Sequence, residues 1–135
     1  MSANIITAIL FSLGILFLLF QLYPLFKSSM TKGKKIPRLS GVVSETVLNQ
    51  KAYLIYLWSP SCGMCRNMTP MIDTLSQQRE DVAKIDVSQH SETAKALGVL
   101  GTPAIVLIEN GVIKQVSLGI KTKDTILKLL DRNLS

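Results

Sequence analysis

Two cysteines separated by two residues, Cys62 and Cys65, are the side chains in this sequence best suited to carry out chemistry. They lie in the stretch WSPSCGMCRNMTP, residues 58–70, and are the only cysteines among 135 residues. Two thiols this close can form and break a disulfide reversibly, one sulfur attacking a bonded partner and the other resolving the intermediate. The spacing predicts thiol–disulfide exchange, with attack by Cys62 and resolution by Cys65.

The position of the pair in the sequence favours an acidic first thiol. Cys62 follows an apolar run that reads as a strand and precedes a segment with helical periodicity. At a helix N-terminus the free N–H groups and the helix dipole stabilise a thiolate relative to the thiol. We therefore expect Cys62 to be an accessible nucleophile of lowered pKa.

Other uses of two thiols are metal binding and a purely structural disulfide. A structural zinc site needs about four ligands, and this chain offers two cysteines and a lone His90, so we predict no metal site of this kind. The alternative function is a Cu(I)-binding, metallochaperone-like module that uses the same two thiolates. A structural disulfide is disfavoured by the close spacing at a helix start. We expect no cofactor apart from a redox-active Cys62–Cys65 disulfide.

The elements that position the pair are predicted from hydrophobic patterning. AYLIYLW, residues 52–58, is a short run of branched and aromatic residues and suits a strand buried on both faces. Residues 63–79 then place apolar side chains on one helical face. These side chains are Met64, Met68, Met71, Ile72 and Leu75.

The second half of the sequence alternates in the same way. Residues 82–87 read as a strand, 91–98 as a short helix with Ser91 as its cap and Gly98 at its end, and 104–109 as a strand. Asn110-Gly111 is a strong hairpin signal. The remaining elements are a partner strand at 112–118 and an amphipathic helix at 123–132 with Ile126, Leu127, Leu129 and Leu130 inward.

This order predicts an α/β fold with a central mixed four-stranded sheet flanked by helices. Strand, helix and strand in succession favour a right-handed parallel crossover, and the later hairpin adds antiparallel strands. Residues 37–135 are enough to close such a core without disulfide staples.

An N-terminal transmembrane helix is predicted to precede this domain. Residues 5–26 contain no charged side chain, and at 1.5 Å of rise per residue they would span the ~30 Å hydrocarbon core of a bilayer. Gln21 and Pro24 lie near the end of the run, where they are tolerated. A cleaved signal peptide is the alternative, but residues 1–4 lack a basic side chain and no convincing cleavage site follows. We assign residues 1–26 to a transmembrane anchor.

Charge separates the domain from a basic juxtamembrane linker at residues 27–36. The net charge of +6 is concentrated in this segment, which carries four lysines and no acid. No basic face with interleaved aromatics is present, so nucleic-acid binding is not expected. Lysines and arginines beside a span tend to remain cytoplasmic, which slightly favours a cytoplasmic domain; the periplasmic or extracytoplasmic face is the alternative. The lipid bilayer is thus an expected partner.

From about residue 40 to the end, the sequence resembles the thioredoxin family. The matching features are Trp58 before C-x-x-C, Pro70 after it, and VAKIDVSQHSETAKALGVLGTPAIVLIENGVI with its Thr102-Pro103 turn. The resemblance implies a thioredoxin-like fold, a cis peptide before Pro103 lying against the disulfide, and a substrate peptide pairing with the backbone edge exposed there. It also implies protein thiols and disulfides as substrates and an upstream thiol reductase or redox partner. We expect a monomer.

Several neighbours of the cysteines are candidates for shaping the site or modulating its chemistry. Trp58, Gly63, Met64, Thr102 and Pro103 are the candidates for substrate binding and active-site shaping. Tyr56, Arg66 and Lys84 are possible modulators. The alternative roles are a core aromatic for Trp58, a solvated surface cation for Arg66 and an ordinary strand charge for Lys84.

The site departs from the family pattern at three positions. Tyr56 occupies the place of a buried acid that assists proton transfer in thioredoxins. A tyrosine with an ordinary pKa of about 10 is a poor base near neutrality, so water or another group would have to serve. Ser61 replaces a second tryptophan and Gly63-Met64 replaces Gly-Pro. The redox potential and the partner range are therefore expected to differ from those of cytosolic thioredoxin.

Overall fold

The computed structural model describes residues 2–29 and 32–134, without the side chains of 23–29 and 134. The described residues fall into two compact units that divide between positions 30 and 31.

The first unit is one long apolar helix, α1 (Ser2–Ser29). Its side chains from position 2 to position 22 are exposed, including Phe11 and Phe20 at 74% and 75%. The stretch Ser2–Leu22 is long and apolar enough to cross a membrane, a property that a signal sequence shares. The predicted N-terminal apolar helix is thus present, and its apolar side chains from position 2 to position 22 are uncovered.

The second unit contains the predicted sheet and helices. Among the described residues its elements are α2 (Glu45–Leu48), β1 (Ala52–Trp58), α3 (Cys65–Gln78), β2 (Val82–Asp86), α4 (Ser91–Ala96), β3 (Ala104–Glu109), β4 (Val112–Leu118) and α5 (Lys123–Leu134). The strand order is β2-β1-β3-β4. β1 pairs in parallel with β2 and antiparallel with β3, and β3 pairs antiparallel with β4. The prediction of a mixed four-stranded sheet is confirmed.

The central strands divide the core into two layers. Tyr53, Ile55 and Leu57 of β1 contribute to the cluster that includes Ala94 and Leu97 of the α4 region. On the opposite face of β1, Leu54 and Tyr56 join a cluster with residues of α3 and α5. Because successive side chains of a strand point to opposite faces, one buried run supplies both layers.

Two sequence predictions need correction, and one further helix is present. Ser91 is not the cap of α4, because it is already helical, and His90 stands at the cap without a side-chain capping bond. Met64 does not join the buried face of α3, because it precedes the helix and is 55% exposed. The short helix α2 was not predicted, since four residues are too few for a periodic pattern.

Part of the lysine-rich segment pairs with the hairpin. Gly33 N–H donates to Ile113 O at 2.8 Å, and Ile113 N–H donates to Lys34 O at 3.1 Å. Ile36 N–H donates to Gly111 O at 3.3 Å. These bonds occupy backbone groups at the start of β4, which would otherwise lie on an open sheet edge.

The burial of β3 generates a stability prediction. Ile108 is fully buried, so Ile108→Ala is expected to lower the free energy of unfolding by roughly 2–5 kcal/mol, because the cavity left behind collapses only partly. Ile120→Ala is the matched control: Ile120 is 51% exposed, and we expect a change within about 0.5 kcal/mol. Denaturant unfolding of the full chain in detergent, followed by the fluorescence of Trp58, measures both. Equal losses in the two variants would contradict the assigned core.

Candidate active site

The two cysteines lie where β1 ends and α3 begins. Pro60 has no N–H to offer a neighbouring strand, so the pairing of β1 cannot continue through it. Cys62 N–H donates to Ser59 O at 3.1 Å, which tightens the connecting loop, and α3 starts at Cys65. A rigid buried strand and a helix start thus fix the loop at both ends.

The two sulfurs form a disulfide but occupy different environments. The Cα atoms of Cys62 and Cys65 are 5.3 Å apart. Cys65 is 1% exposed, whereas Cys62 is partly exposed. The backbone N–H of Cys65 donates to the Sγ of Cys62 at 3.2 Å. A partner approaching from solvent therefore meets Cys62, and an amide already points at the sulfur that would carry negative charge after reduction.

An open cavity of about 250 Å³ lies beside the disulfide. Its lining residues are Trp58, Ser59, Pro60, Cys62, Cys65, Arg66, Thr69 and Pro70. The predicted site residues Trp58 and Arg66 are thus brought together with both cysteines. Trp58 also packs against the buried α3 layer, so it serves the core and the cavity at once.

Tyr56 lies buried behind Cys65. Its hydroxyl donates to the backbone carbonyl of Cys65 at 3.4 Å and lies 3.0 Å from the hydroxyl of Thr69. Burial raises the pKa of Tyr56, Asp73 adds to the rise, and the Thr69 hydrogen bond and the charge of Lys84 oppose it. The phenol therefore keeps its proton near neutrality and acts here as a neutral hydrogen-bonding group.

A charged pair lies beside Tyr56. Lys84 stands directly opposite Tyr56 in the parallel β1–β2 ladder, and its ammonium forms an ion pair with Asp73 of α3. The same ammonium lies 5.6 Å from the centroid of the Trp58 ring. Lys84 is thus part of the site's surroundings, as the sequence allowed.

Thr69 and Asp73 were missed from the sequence. Both follow Cys65 at intervals of four residues, which places them on one face of α3. This four-residue spacing was the available signal, but the sequence prediction for the helix used only the apolar residues on the neighbouring face.

The remaining predicted residues occupy different places. Gly63 is exposed, and its carbonyl accepts a bond from Arg66 N–H at 3.3 Å. Thr102 and Pro103 are joined by a cis peptide, as the resemblance implies. Thr102 lines a second cavity, of about 260 Å³, beside the highly exposed Leu100.

Within the described parts of the chain, no group of three or more His, Cys, Asp or Glu side chains could hold a metal ion. A Cu(I) ion would have the two sulfurs of the pair as its thiolate ligands.

Comparison with known proteins places this geometry in a family. The sequence model described as Thioredoxin matches residues 40–132, which is more than half of the chain. A thioredoxin from Bacillus subtilis (strain 168) is 32% identical over 80 residues, covering 57% of this chain and 77% of the relative.

Solved structures agree with the sequence match. An N21Q mutant thioredoxin from Halobacterium salinarum NRC-1 superposes with a TM-score of 0.63 at 25% identity, covering 75% of this chain and 88% of that one. Fasciola hepatica thioredoxin gives a TM-score of 0.55 at 26% identity, with 62% and 81% covered. Together with the disulfide pair, these relatives support thiol–disulfide oxidoreductase activity. The chain belongs to the thioredoxin family.

Proposed function

We propose that this protein is a single-pass, membrane-anchored thiol–disulfide oxidoreductase that exchanges disulfides with protein substrates through its Cys-Gly-Met-Cys pair. The asymmetry of the two sulfurs is the observation that carries the proposal. Cys62 is reachable and accepts an amide hydrogen bond, whereas Cys65 is buried directly behind it. This arrangement suits a nucleophile with a built-in resolving group.

The exchange proceeds in two balanced steps when the protein acts as a reductant. The Cys62 thiolate attacks a substrate disulfide, so that one substrate sulfur becomes bonded to Cys62 and the other leaves as a thiolate that takes up a proton. Cys65 then loses its proton and attacks Cys62 Sγ, which forms the internal disulfide and releases the second substrate thiol. An upstream thiol reductase restores the dithiol by the same chemistry, since the sequence has no flavin or nicotinamide fingerprint.

Substrate recognition is proposed to use the surface around Cys62. Met64 lies between the cysteines with 55% of its surface exposed, and Trp58 forms a wall of the cavity. The backbone next to the cis peptide before Pro103 is the proposed edge for an extended substrate segment. Apolar contacts would give affinity, and backbone pairing would align the substrate disulfide.

The proposed anchor is α1, with the domain on the cytoplasmic face. Its exposed apolar side chains suit a bilayer, and the basic residues after the span favour cytoplasmic retention of that end. The extracytoplasmic face is the alternative that the topology experiment below distinguishes.

Substitution of each cysteine tests the assigned roles. Cys62→Ser is expected to abolish reduction of insulin, because no accessible thiolate remains. Cys65→Ser is expected to accumulate mixed disulfides with substrates, because the resolving sulfur is lost. Full insulin reduction by the variant with both serines would refute the proposal, and stoichiometric Cu(I) binding by the native protein without turnover would favour the metallochaperone reading.

Tyr56→Phe tests whether the phenol carries a catalytic proton. Because burial raises the pKa of Tyr56 above its ordinary 10.0, the folded protein keeps this proton where the unfolded chain loses it. The stability this provides is complete below a pH of about 10 and is lost as pH rises further. We therefore expect the pH profile of exchange by Tyr56→Phe to follow the native profile from about pH 6 to 9.

Tyr53→Phe is the matched control, since Tyr53 is also buried but belongs to the other core layer. Tyr56→Phe is expected to lower the free energy of unfolding by roughly 0.5–1.5 kcal/mol through the lost hydrogen bonds. Loss of an ionisation from the activity profile in Tyr56→Phe alone would show that the phenol does transfer a proton.

Single reporter cysteines in a cysteine-free chain test the topology. Ser2 and Gln89 lie in different units and are both exposed, so Ser2→Cys and Gln89→Cys report on the two ends of the span. With a membrane-impermeant thiol label on intact cells, we expect Ser2→Cys to react and Gln89→Cys to react only after lysis. The reverse pattern would place the domain outside the cytoplasm, and labelling of both from outside would exclude a spanning helix.

A further inference from the structure

A polar stripe runs along the face of α3 that begins at Cys65. Cys65, Thr69 and Asp73 follow one another at intervals of four residues, and such residues are neighbours on a helix surface. The stripe begins at the fully buried resolving cysteine and ends at the partly exposed Asp73. A buried thiol ionises reluctantly, because burial disfavours the charged form. A charge close to such a thiol therefore changes how readily the thiol ionises.

The charged and titratable groups around this stripe come from three elements. The hydroxyl of Tyr56 in β1 donates to the backbone carbonyl of Cys65 and is hydrogen-bonded to the Thr69 hydroxyl. Lys84 of β2 is the ladder neighbour of Tyr56 and is paired with Asp73 of α3. Arg66 of α3 is exposed at the rim of the cavity. Of these, Lys84 and Asp73 act electrostatically on Tyr56, whose hydroxyl donates a hydrogen bond to the backbone carbonyl of Cys65.

We propose that the Asp73–Lys84 ion pair sets the acidity of the Cys65 thiol, with Asp73 as a positioning residue that neutralises Lys84. The proposal rests on the proposed function, because it concerns the step in which Cys65 gives up its proton and attacks Cys62. In that step the Cys65–Cys62 bond forms, the bond from Cys62 to the substrate breaks, and the departing substrate sulfur gains a proton in place of the one Cys65 loses.

The two members of the pair have opposite effects on the pKa of the Cys65 thiol. The Lys84 ammonium stabilises a nearby thiolate, and the Asp73 carboxylate opposes it. Contacts with Trp58 and Asp73 hold the ammonium in place, and Lys84 and Asp73 are 31% and 42% exposed, so solvent screens them only in part. Removal of one partner leaves the charge of the other uncompensated, so the thiol pKa should move in opposite directions in the two variants. A pair that only ties α3 to the sheet would not produce two pKa shifts of opposite sign.

The experiment titrates Cys65 alone. Because the chain has two cysteines, Cys62→Ala leaves a single thiol, whose ionisation can be followed in the full-length protein in detergent by the ultraviolet absorbance of the thiolate. In this background, Asp73→Asn is expected to lower the thiol pKa by ~0.5–1 unit, and Lys84→Gln is expected to raise it by a similar amount. The Asp73→Asn and Lys84→Gln double variant, which lacks both charges, should return close to the starting value.

Glu109→Gln and Lys114→Gln are the matched controls, because this ion pair lies at the β3–β4 hairpin and joins N and O atoms 3.1 Å apart. They should leave the titration unchanged. The proposal is overturned if neither site variant moves the thiol pKa, if both move it in the same direction, or if the controls move it equally. Circular dichroism shows whether a variant has unfolded. If one single variant unfolds, comparison of the double variant with the remaining single variant still tests whether the effects of the two charges cancel.

Failure of this proposal is distinguishable from failure of the proposed function. The titration requires no turnover, and insulin reduction is measured separately in the chain that retains both cysteines. An unmoved thiol pKa together with normal insulin reduction would remove the role of the pair and leave the oxidoreductase assignment intact.

Discussion

The difference in burial between two sulfurs only three residues apart is the constraint on which the site depends. It arises because Cys65 is the first residue of a helix packed on the sheet, while Cys62 is in the loop before it. The same helix start directs the Cys65 amide to the Cys62 sulfur. One backbone feature therefore supplies an exposed nucleophile, a hydrogen bond that stabilises its anion, and a protected partner. The core layers on both faces of β1 keep this geometry fixed.

The polar groups behind the disulfide are arranged so that no charge lies in the deepest position. Tyr56 fills that position with a neutral phenol, and its hydrogen bonds to Cys65 and Thr69 satisfy its hydroxyl. The charges lie further out, on Asp73 and Lys84, where partial exposure lowers the cost of ionisation. A buried carboxylate is thus replaced by a neutral hydrogen-bonding group with an ion pair beside it. This arrangement places electrostatic influence on the resolving thiol without an isolated buried charge.

The apolar residues of this chain fall into two groups that differ in exposure. In the domain, the large apolar side chains of the central strands are enclosed by helices, which is the usual outcome of burial from water. In α1 the apolar side chains from position 2 to position 22 remain exposed, which is unfavourable in water and suits a hydrocarbon environment. The lysine-rich segment that follows satisfies part of its backbone against the hairpin.

The sequence by itself determined the reacting pair and every strand and helix of the domain except the short α2. Strands 52–58, 104–109 and 112–118 were predicted at their observed limits, because buried apolar runs bounded by Gly, Pro and Asn are local signals. The cysteine spacing identified the chemistry because it is also a local feature of the sequence. Only the tertiary structure decided that Cys65 is buried, that Met64 is left exposed, that Ser91 does not cap α4, and that Asp73 meets Lys84. These features depend on how α3 and α4 pack against the sheet. Contacts between residues that are distant in the sequence produce no periodic pattern in the sequence.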